Sequence, residues 1–115
     1  MTEECLFCRI VRGEIPGEIV LDEEDVVAFR DVRPAAPTHV LVVPRSHIPS
    51  ISVLDEADEP VIGALFGAAR RIAEAEGVAG SGYRMVINAG SDAGQSVDHV
   101  HLHVLGGRHM AWPPG

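Results

Sequence analysis

The segment His99-Val100-His101-Leu102-His103-Val104-Leu105 alternates histidine with an aliphatic residue and then ends on two aliphatic residues. Strict alternation predicts a half-buried β-strand, because successive side chains leave a pleated backbone on opposite faces. We therefore expect Val100, Leu102 and Val104 to enter a core, with the histidines in a row on the other face, about 7 Å apart. One histidine on a strand is usually only a polar residue on a solvated face. Three at this spacing indicate a site with nucleophiles, proton carriers or metal ligands.

The loop before this strand is small and polar. Residues 90–96 include Gly90 and Gly94 and end on Gln95 and Ser96. Such loops usually only turn the chain. Directly before a row of histidines, however, oriented backbone amides and a serine hydroxyl can hold phosphoryl oxygens, which indicates a phosphate-binding loop.

Composition favours one compact domain over residues 1–115, with residues 106–115 as a C-terminal tail. The 115 residues are 46% hydrophobic, enough for a single core. The formal net charge is −8, from 17 acidic and 9 basic residues. This charge disfavours binding to nucleic acid or to an anionic membrane surface, but it permits a small nucleotide held by amides and imidazoles.

The N-terminus predicts a cytoplasmic protein. Residues 1–4 are acidic in part, and no apolar run is long enough for a signal peptide or a membrane span. In a reducing compartment, Cys5 and Cys8 favour a metal or redox role over a disulfide. Cys-x-x-Cys is common both in zinc sites and in thiol redox proteins, but no thioredoxin-like strand precedes Cys5, which weakens the redox interpretation.

The order of predicted elements indicates an α+β fold. Hydrophobic periodicity predicts a short helix over residues 5–12, a long helix over 55–76, and strands over 18–21, 26–30, 39–43, 83–88 and 99–105. Strands that follow one another with a single long helix inserted favour an antiparallel sheet of about five strands over a doubly wound fold.

Several motifs resemble the histidine triad superfamily of nucleotide hydrolases and transferases. Gly94-Gln95-Ser96-Val97 followed by the histidine segment is similar to the signature of that superfamily. The chain also resembles one branch of that superfamily, the nucleoside phosphoramidases or histidine triad nucleotide-binding proteins. The segments that carry this resemblance are Phe7-Cys8-Arg9-Ile10, Gly13-Glu14-Ile15-Pro16, Phe29-Arg30-Asp31, Ala36-Pro37-Thr38-His39, Pro44-Arg45-Ser46-His47-Ile48, Asn88, Gly106-Gly107-Arg108 and Trp112-Pro113-Pro114-Gly115. The resemblance implies a homodimer whose two sheets join into one of about ten strands.

Two chemistries compete for the histidines. Either they hold a zinc ion that activates water, or one of them is a nucleophile and any metal only braces the fold. A zinc ion held by two thiolates and two imidazoles has no open position, so such a site is structural. The resemblance implies this case, with Cys5, Cys8, His47 and His99 as ligands of a structural zinc that the reaction does not require.

The resemblance also implies the catalytic residues. His101 would attack the α-phosphorus of a purine nucleoside phosphoramidate and form a nucleotidyl-histidine, which water hydrolyses to a nucleoside monophosphate. His103 and His39 would support the phosphate and its proton transfers, and Ser96 would contact the phosphoryl group and the departing amine. Neutral imidazole is a suitable nucleophile near pH 7.

The implied nucleotide-binding residues form three groups. Apolar side chains would sandwich the base, an acid would accept hydrogen bonds from the ribose, and loop residues would border the phosphate. The apolar side chains are Leu6, Phe7, Ile10, Phe29 and Val32, and the acid is Asp31. The loop residues are Asn88, Gly94, Gln95, Ser96 and Val97. His101, His103 and, from the partner's tail, Trp112 complete the set. Without the family, the apolar members are ordinary core residues.

Two other functions remain open. A dinucleoside polyphosphate hydrolase would share His101 but would differ around Ser96 and lack the Trp112-Pro113-Pro114-Gly115 ending. A catalytically silent nucleotide-binding module would keep the fold without turnover. Arg30, where the family often has histidine, is expected beside the base and leaves the choice between adenine and guanine open.

Overall fold

Two helices and five strands make up the regular structure of the chain in a computed structural model that describes residues 5–115. In chain order they are α1 (Leu6–Val11), β1 (Ile19–Asp22), β2 (Val26–Arg30), β3 (Thr38–Pro44), α2 (Glu59–Ala75), β4 (Tyr83–Ile87) and β5 (Leu102–Gly106). Short 3-10 turns lie at Ile51–Val53, Glu56–Asp58 and Ser91–Ala93.

The strands form one sheet in the order β1-β2-β3-β5-β4, and every neighbouring pair is antiparallel. The predicted α+β fold, with a five-stranded antiparallel sheet and one long and one short helix, is confirmed. The strand that carries the histidines is the last in sequence but lies inside the sheet, between β3 and β4. The free edges of the sheet within one protomer are β1 and β4, and continuation of the sheet across a homodimer stays a prediction.

Each face of the sheet packs on a different helix. On the α2 face, Val40, Val42, Leu65, Leu102 and Val104 belong to one buried cluster. On the α1 face, the buried cluster consists of Phe7, Val27, Phe29, Leu41 and Val43. Residues 26–29 of β2 and 40–44 of β3 are covered on both faces and continuously apolar, which is the pattern expected of a strand buried on both sides.

The histidine segment follows its predicted alternation, but it is a regular strand only in its second half. Val100 lies in the α2-side core with Leu102 and Val104. Regular pairing begins at Leu102, because the backbone N–H of Val100 donates instead to the carbonyl of Ile48, at 2.7 Å. The opposite face is not solvated as a simple amphipathic strand would be: His99 is fully buried and His101 is 5% exposed.

Local sequence explains where both helices begin. Cys5 caps α1, since its Sγ accepts a hydrogen bond from the backbone N–H of Cys8, at 3.4 Å. The predicted helix over residues 55–76 divides into a 3-10 turn, with a capping box between Asp55 and Asp58, and then α2. Pro60 stands at the start of α2, where its missing N–H costs nothing.

Gly106, the first residue of the predicted tail, ends β5, and the rest of the tail lies on its own protomer without forming a helix or strand. Arg108 Nε donates to the carbonyl of Ala35, and Arg84 Nη2 donates to the carbonyl of Ala111, both at 3.0 Å. Trp112 is 81% exposed. Over residues 5–115, no helix is both long and apolar enough to cross a membrane.

Candidate functional site

The histidine row divides into two clusters. The His99 ring lies 5.1 Å from the His47 ring, centroid to centroid, beside the two cysteines. The His101 ring lies 5.0 Å from the His103 ring, and the His103 ring lies 5.2 Å from the His39 ring. Phe7 packs edge-on against both His99 and His101, at 6.1 and 5.0 Å, and so stands between the two clusters.

The first cluster joins the four residues implied as metal ligands. His99 Nδ1 lies 3.4 Å from Cys5 Sγ and 3.2 Å from His47 Nδ1, and Cys8 Sγ lies 3.3 Å from His47 Nδ1. A tetrahedral zinc site with ordinary bond lengths has ligand-to-ligand distances of about 3.3–3.8 Å, close to these values. These residues therefore could hold a metal ion with two sulfur and two nitrogen ligands.

Hydrogen bonding around the first cluster also fits a cation. His99 Nε2 donates to the carbonyl of Pro44, at 2.9 Å, so the lone pair of the neutral ring is on Nδ1 and faces the cysteines. Burial, with the neighbouring Cys5 thiol, raises the pKa of Cys8 to about 11. A divalent cation would reverse this effect, because it stabilises the thiolate form. A metal here would also tie α1 to the sheet.

The second cluster is a chain of hydrogen bonds with a defined direction. The backbone N–H of Ala35 donates to His39 Nδ1, at 3.0 Å, so the proton of neutral His39 is on Nε2. That Nε2–H donates to His103 Nδ1, at 2.9 Å, which leaves the His103 proton on Nε2. Asp31 Oδ2 lies 3.4 Å from His39 Nε2.

Asp31, His39 and His103 are also close enough to ligate a metal. Their hydrogen bonds argue against it, because the proton on His39 Nε2 occupies the position where a metal would bind. Moving that proton to Nδ1 would set it against the N–H of Ala35. The hydrogen bonds of this cluster suit it to proton handling, whereas the cysteine cluster could hold a metal.

His101 has a defined tautomer as well. Its Nδ1 lies 2.7 Å from the carbonyl oxygen of His99 and must donate to it. The Nε2 atom of neutral His101 therefore carries the lone pair. Among these residues, His101 thus has the nitrogen suited to nucleophilic attack, and neighbouring His103 has an N–H suited to donate to an anion.

A cavity of about 520 Å³ lies beside the second cluster, between α1 and the end of β2. Of the residues implied in nucleotide binding, eight line it: Leu6, Phe7, Ile10, Phe29, Asp31, Val32, Ser96 and Val97. Arg30, which was expected beside the base, lines it as well, and sequence reasoning assigned no role to five others: Ile15, Pro16, Gly17, Arg33 and Leu41. Ile15 and Pro16 were within a family motif, which was the available signal, whereas Arg33 is in no motif.

The remaining implied residues lie around this cavity or away from it. Ile87 pairs with Leu102, so Asn88 follows β4 beside His101. Gln95 closes its loop, since its Oε1 accepts from the N–H of Gly90 and its Nε2 donates to the carbonyl of Pro49, at 3.0 and 2.7 Å. Gly94 has a φ of +87°, which favours glycine. Trp112 does not line the cavity of its own protomer.

Arg30 borders the cavity, but its guanidinium is engaged elsewhere. It donates to both carboxylate oxygens of Glu76, at 2.8 Å each, and to Glu18, at 2.9 Å. Arg30 and Phe29 are adjacent on β2 and therefore point to opposite faces of the sheet. The expectation that Arg30 influences the choice of base receives no support from this arrangement.

Comparison with known proteins identifies the family. The family model for the HIT domain matches residues 12–110, and the chain belongs to the HIT, or histidine triad, family. An uncharacterised HIT-like protein of the cyanobacterium Synechocystis sp. is 44% identical over 115 residues, the full length of both chains.

Solved structures agree with this membership. A HIT family hydrolase from Legionella pneumophila is 47% identical, with a TM-score of 0.95 over 97% of this chain and 100% of its own. A HIT family hydrolase from Clostridium thermocellum is 41% identical, with a TM-score of 0.92 over 95% of each chain. A histidine triad nucleotide-binding protein from Candida albicans is 26% identical, with a TM-score of 0.81 over 96% of this chain and 83% of its own.

The environment of His103 generates a prediction about pH. Burial, together with the nearby His101 and His39 rings, lowers the pKa of His103 from 6.5 to about 4, against the opposing effect of Asp31. Between these two values the unfolded chain binds a proton at this residue and the folded chain does not. Stability contributed by neutral His103 is therefore complete above pH 6.5 and is lost as the pH falls toward 4.

We expect the His103 ring to remain neutral at pH 5.5, which side-chain ¹⁵N NMR measures directly. The Tm should fall between pH 6.5 and 4.5, and less steeply in a His103→Asn variant, because that variant lacks the titrating ring. A His103 ring that titrates near 6.5, or identical slopes for the two proteins, would contradict the buried neutral assignment.

Proposed function

We propose that this protein is a hydrolase that cleaves purine nucleoside phosphoramidates through a covalent nucleotidyl-His101 intermediate. The observation that carries the proposal is the hydrogen bond from His101 Nδ1 to the carbonyl of His99, because it leaves Nε2 unprotonated in a ring that packs against Phe7, a residue that lines the cavity. The similar proteins from Legionella pneumophila and Clostridium thermocellum are HIT family hydrolases, and the one from Candida albicans is a histidine triad nucleotide-binding protein. These relatives support hydrolysis and nucleotide binding.

The cavity suits one nucleoside. Its volume of about 520 Å³ is within the usual range for small-molecule sites. Phe7 and Phe29, whose rings are 5.3 Å apart, offer apolar contacts for a flat base, and Asp31 offers acceptors for ribose hydroxyls. Apolar contacts with few polar partners at the base edge discriminate weakly between purines.

The chemistry follows from the two ring tautomers. His101 Nε2 attacks phosphorus, the P–N bond breaks, and the amine departs after gaining a proton, for which the Ser96 hydroxyl is a suitable donor or relay. His103, neutral because burial lowers its pKa, donates Nε2–H to a phosphoryl oxygen and stabilises the charge that develops there. Water then attacks the same phosphorus and gives up a proton, which restores the proton that Ser96 supplied to the amine, while the bond to His101 breaks and a nucleoside monophosphate is released.

Replacing the nucleophile tests this function. We expect His101→Ala to lower kcat with an adenosine phosphoramidate by about a thousand-fold or more, while the Kd for the purine monophosphate changes little. Steady-state kinetics and calorimetric titration measure the two quantities. The unchanged Kd serves as the control for folding.

Three results would contradict the proposal. Wild-type turnover by His101→Ala would exclude the nucleophile. Preferential cleavage of a dinucleoside polyphosphate would assign the protein to another class of hydrolase. Monophosphate binding without turnover of any phosphoramidate would identify a silent binding module.

We further propose that the metal held by Cys5, Cys8, His47 and His99 is a structural zinc ion. Two thiolates and two imidazoles complete a tetrahedral shell, so no position is open for substrate. Zinc would supply only a link between α1 and the histidine segment. His101 and His103 need no metal for the steps described above.

Purified protein should contain one zinc ion per chain by elemental analysis, and Cys8→Ser should contain far less. Removing zinc should lower the Tm by at least about 5 °C, since a structural metal contributes folding energy. Turnover per folded molecule should change less. Absence of zinc, or a disulfide between Cys5 and Cys8, would rule out the site.

We also propose a homodimer in which β4 pairs with β4 of the partner. The β1 edge is flanked by the acidic residues 22–25, and charged residues are depleted from the centres of interfaces. The β4 edge instead presents Met85, 40% exposed, and α2 presents Phe66, 43% exposed. In this dimer the tail of one subunit would place Trp112 beside the leaving amine in the partner's site.

Deletion of residues 111–115 tests the tail. We expect kcat/KM to fall more for substrates with large aromatic amines than for those with small amines, because only the former reach Trp112. Light scattering should still give a dimer. Equal effects on both substrates would remove Trp112 from the site, and a wild-type monomer would refute the dimer.

A further inference from the structure

One carboxylate joins the end of α2 to the sheet behind the proton-handling cluster. Glu76 accepts two hydrogen bonds from Arg30, Nη1 to Oε1 and Nη2 to Oε2, both at 2.8 Å. The Arg30 side chain is only 34% exposed, and the Glu76 side chain is only 20% exposed. Two parallel charge-assisted bonds fix both distance and orientation, so this pair is a rigid connection rather than a solvated ion pair.

The position of Glu76 indicates that its carboxylate does not stabilise α2 itself. Glu76 is the C-cap of α2, where the helix dipole disfavours a negative charge. The pKa of Glu76 is nevertheless below its usual value, because Arg30 donates to the carboxylate and Thr38 interacts with it as well. The carboxylate is therefore hydrogen-bonded to Arg30 at the end of β2 and lies near Thr38 at the start of β3.

Glu76 interacts with Arg30 and Thr38, and each of these residues comes directly before a member of the proton-handling cluster. Arg30 is followed by Asp31, and Thr38 is followed by His39. The backbone N–H of Asp31 donates to the carbonyl of His39, at 3.0 Å, which links the strands at this level. Because neighbours on a strand alternate in direction, Glu76 restrains the strands from the face opposite the cavity.

The short contacts of the cluster depend on where these strand ends lie. Asp31 Oδ2 is 3.4 Å from His39 Nε2, and His39 Nε2 is 2.9 Å from His103 Nδ1. A shift of the β2 end relative to β3 alters the first distance, and a shift of the β3 end relative to β5 alters the second. Arg30 also donates from Nε to Glu18, but the Glu18 carboxylate is 73% exposed, so this ion pair restrains the end of β2 less than the bonds to Glu76 do.

We propose that Glu76, through Arg30 and Thr38, is a positioning residue that sets the alignment of Asp31 and His39 with His103. Its kinetic consequence rests on the function proposed above, whereas its structural consequence does not. Glu76 touches neither the cavity nor the reacting atoms. Its role is to keep the His103 Nε2–H directed at the phosphoryl group.

Glu76→Gln is the sharpest variant, because it retains size but turns one acceptor into a donor that faces the Arg30 guanidinium. Arg30→Lys is a second variant, since lysine keeps the charge but cannot donate two parallel bonds. Glu74→Gln is the matched control on the same helix, where Glu74 forms an exposed i,i+4 pair with Arg70.

The experiment measures kinetics with an adenosine phosphoramidate and, in ligand-free protein, the imidazole NMR signals of His39 and His103. For Glu76→Gln and Arg30→Lys we expect kcat per folded molecule to fall about ten-fold with KM within about two-fold, because misalignment affects the reaction more than binding. The signals of both rings should shift, while Glu74→Gln should match the wild type.

A purely structural role would lower only the Tm of Glu76→Gln and Arg30→Lys. Unchanged kcat per folded molecule in an active enzyme, or unmoved His39 and His103 signals in either variant, would overturn the proposal. If the wild type proves to lack phosphoramidase activity, the NMR signals alone decide. Shifted signals then support the positioning role even though the proposed substrate is wrong.

Discussion

The alternation of side chains along residues 99–105 is the constraint on which the rest of the structure depends. One set of side chains, Val100, Leu102 and Val104, completes the core under α2, while the histidines between them enter the space under α1. A shift of register by one residue would bury the imidazoles under α2 and expose the aliphatic side chains to the cavity. Core packing thus fixes the positions of the imidazole rings. Because β5 lies between β3 and β4, strand pairing on both sides also fixes its position.

Burial of imidazole rings disfavours their charged form. The structure surrounds the rings with Phe7 and the sheet and satisfies each ring with a defined acceptor or donor, such as the carbonyl of His99 and the N–H of Ala35. Burial lowers the pKa of both His39 and His103, which keeps them neutral at physiological pH.

Periodicity predicted the order and type of every helix and strand, because alternation and helical spacing are local properties of the sequence. It placed the start of the histidine strand at residue 99 rather than Leu102, since the bond from Val100 to Ile48 replaces regular pairing and leaves the alternation intact. The resemblance named the members of both clusters, but not their tautomers, which depend on single backbone groups. The pairing of Arg30 with Glu76, 46 residues apart, has no local signal, so the sequence predicted Arg30 beside the base but not the carboxylate that its guanidinium binds.

In the proposed reaction, His101 Nε2 carries the nucleotidyl group during turnover. The most direct test of this step is mass spectrometry of protein quenched at alkaline pH within the first turnovers of an adenosine phosphoramidate, followed by peptide mapping. We predict an added adenylyl group on His101 that appears before the monophosphate and disappears as substrate is exhausted. Steady turnover without any adduct, or an adduct on His39, His103 or Ser96 instead, would contradict this account.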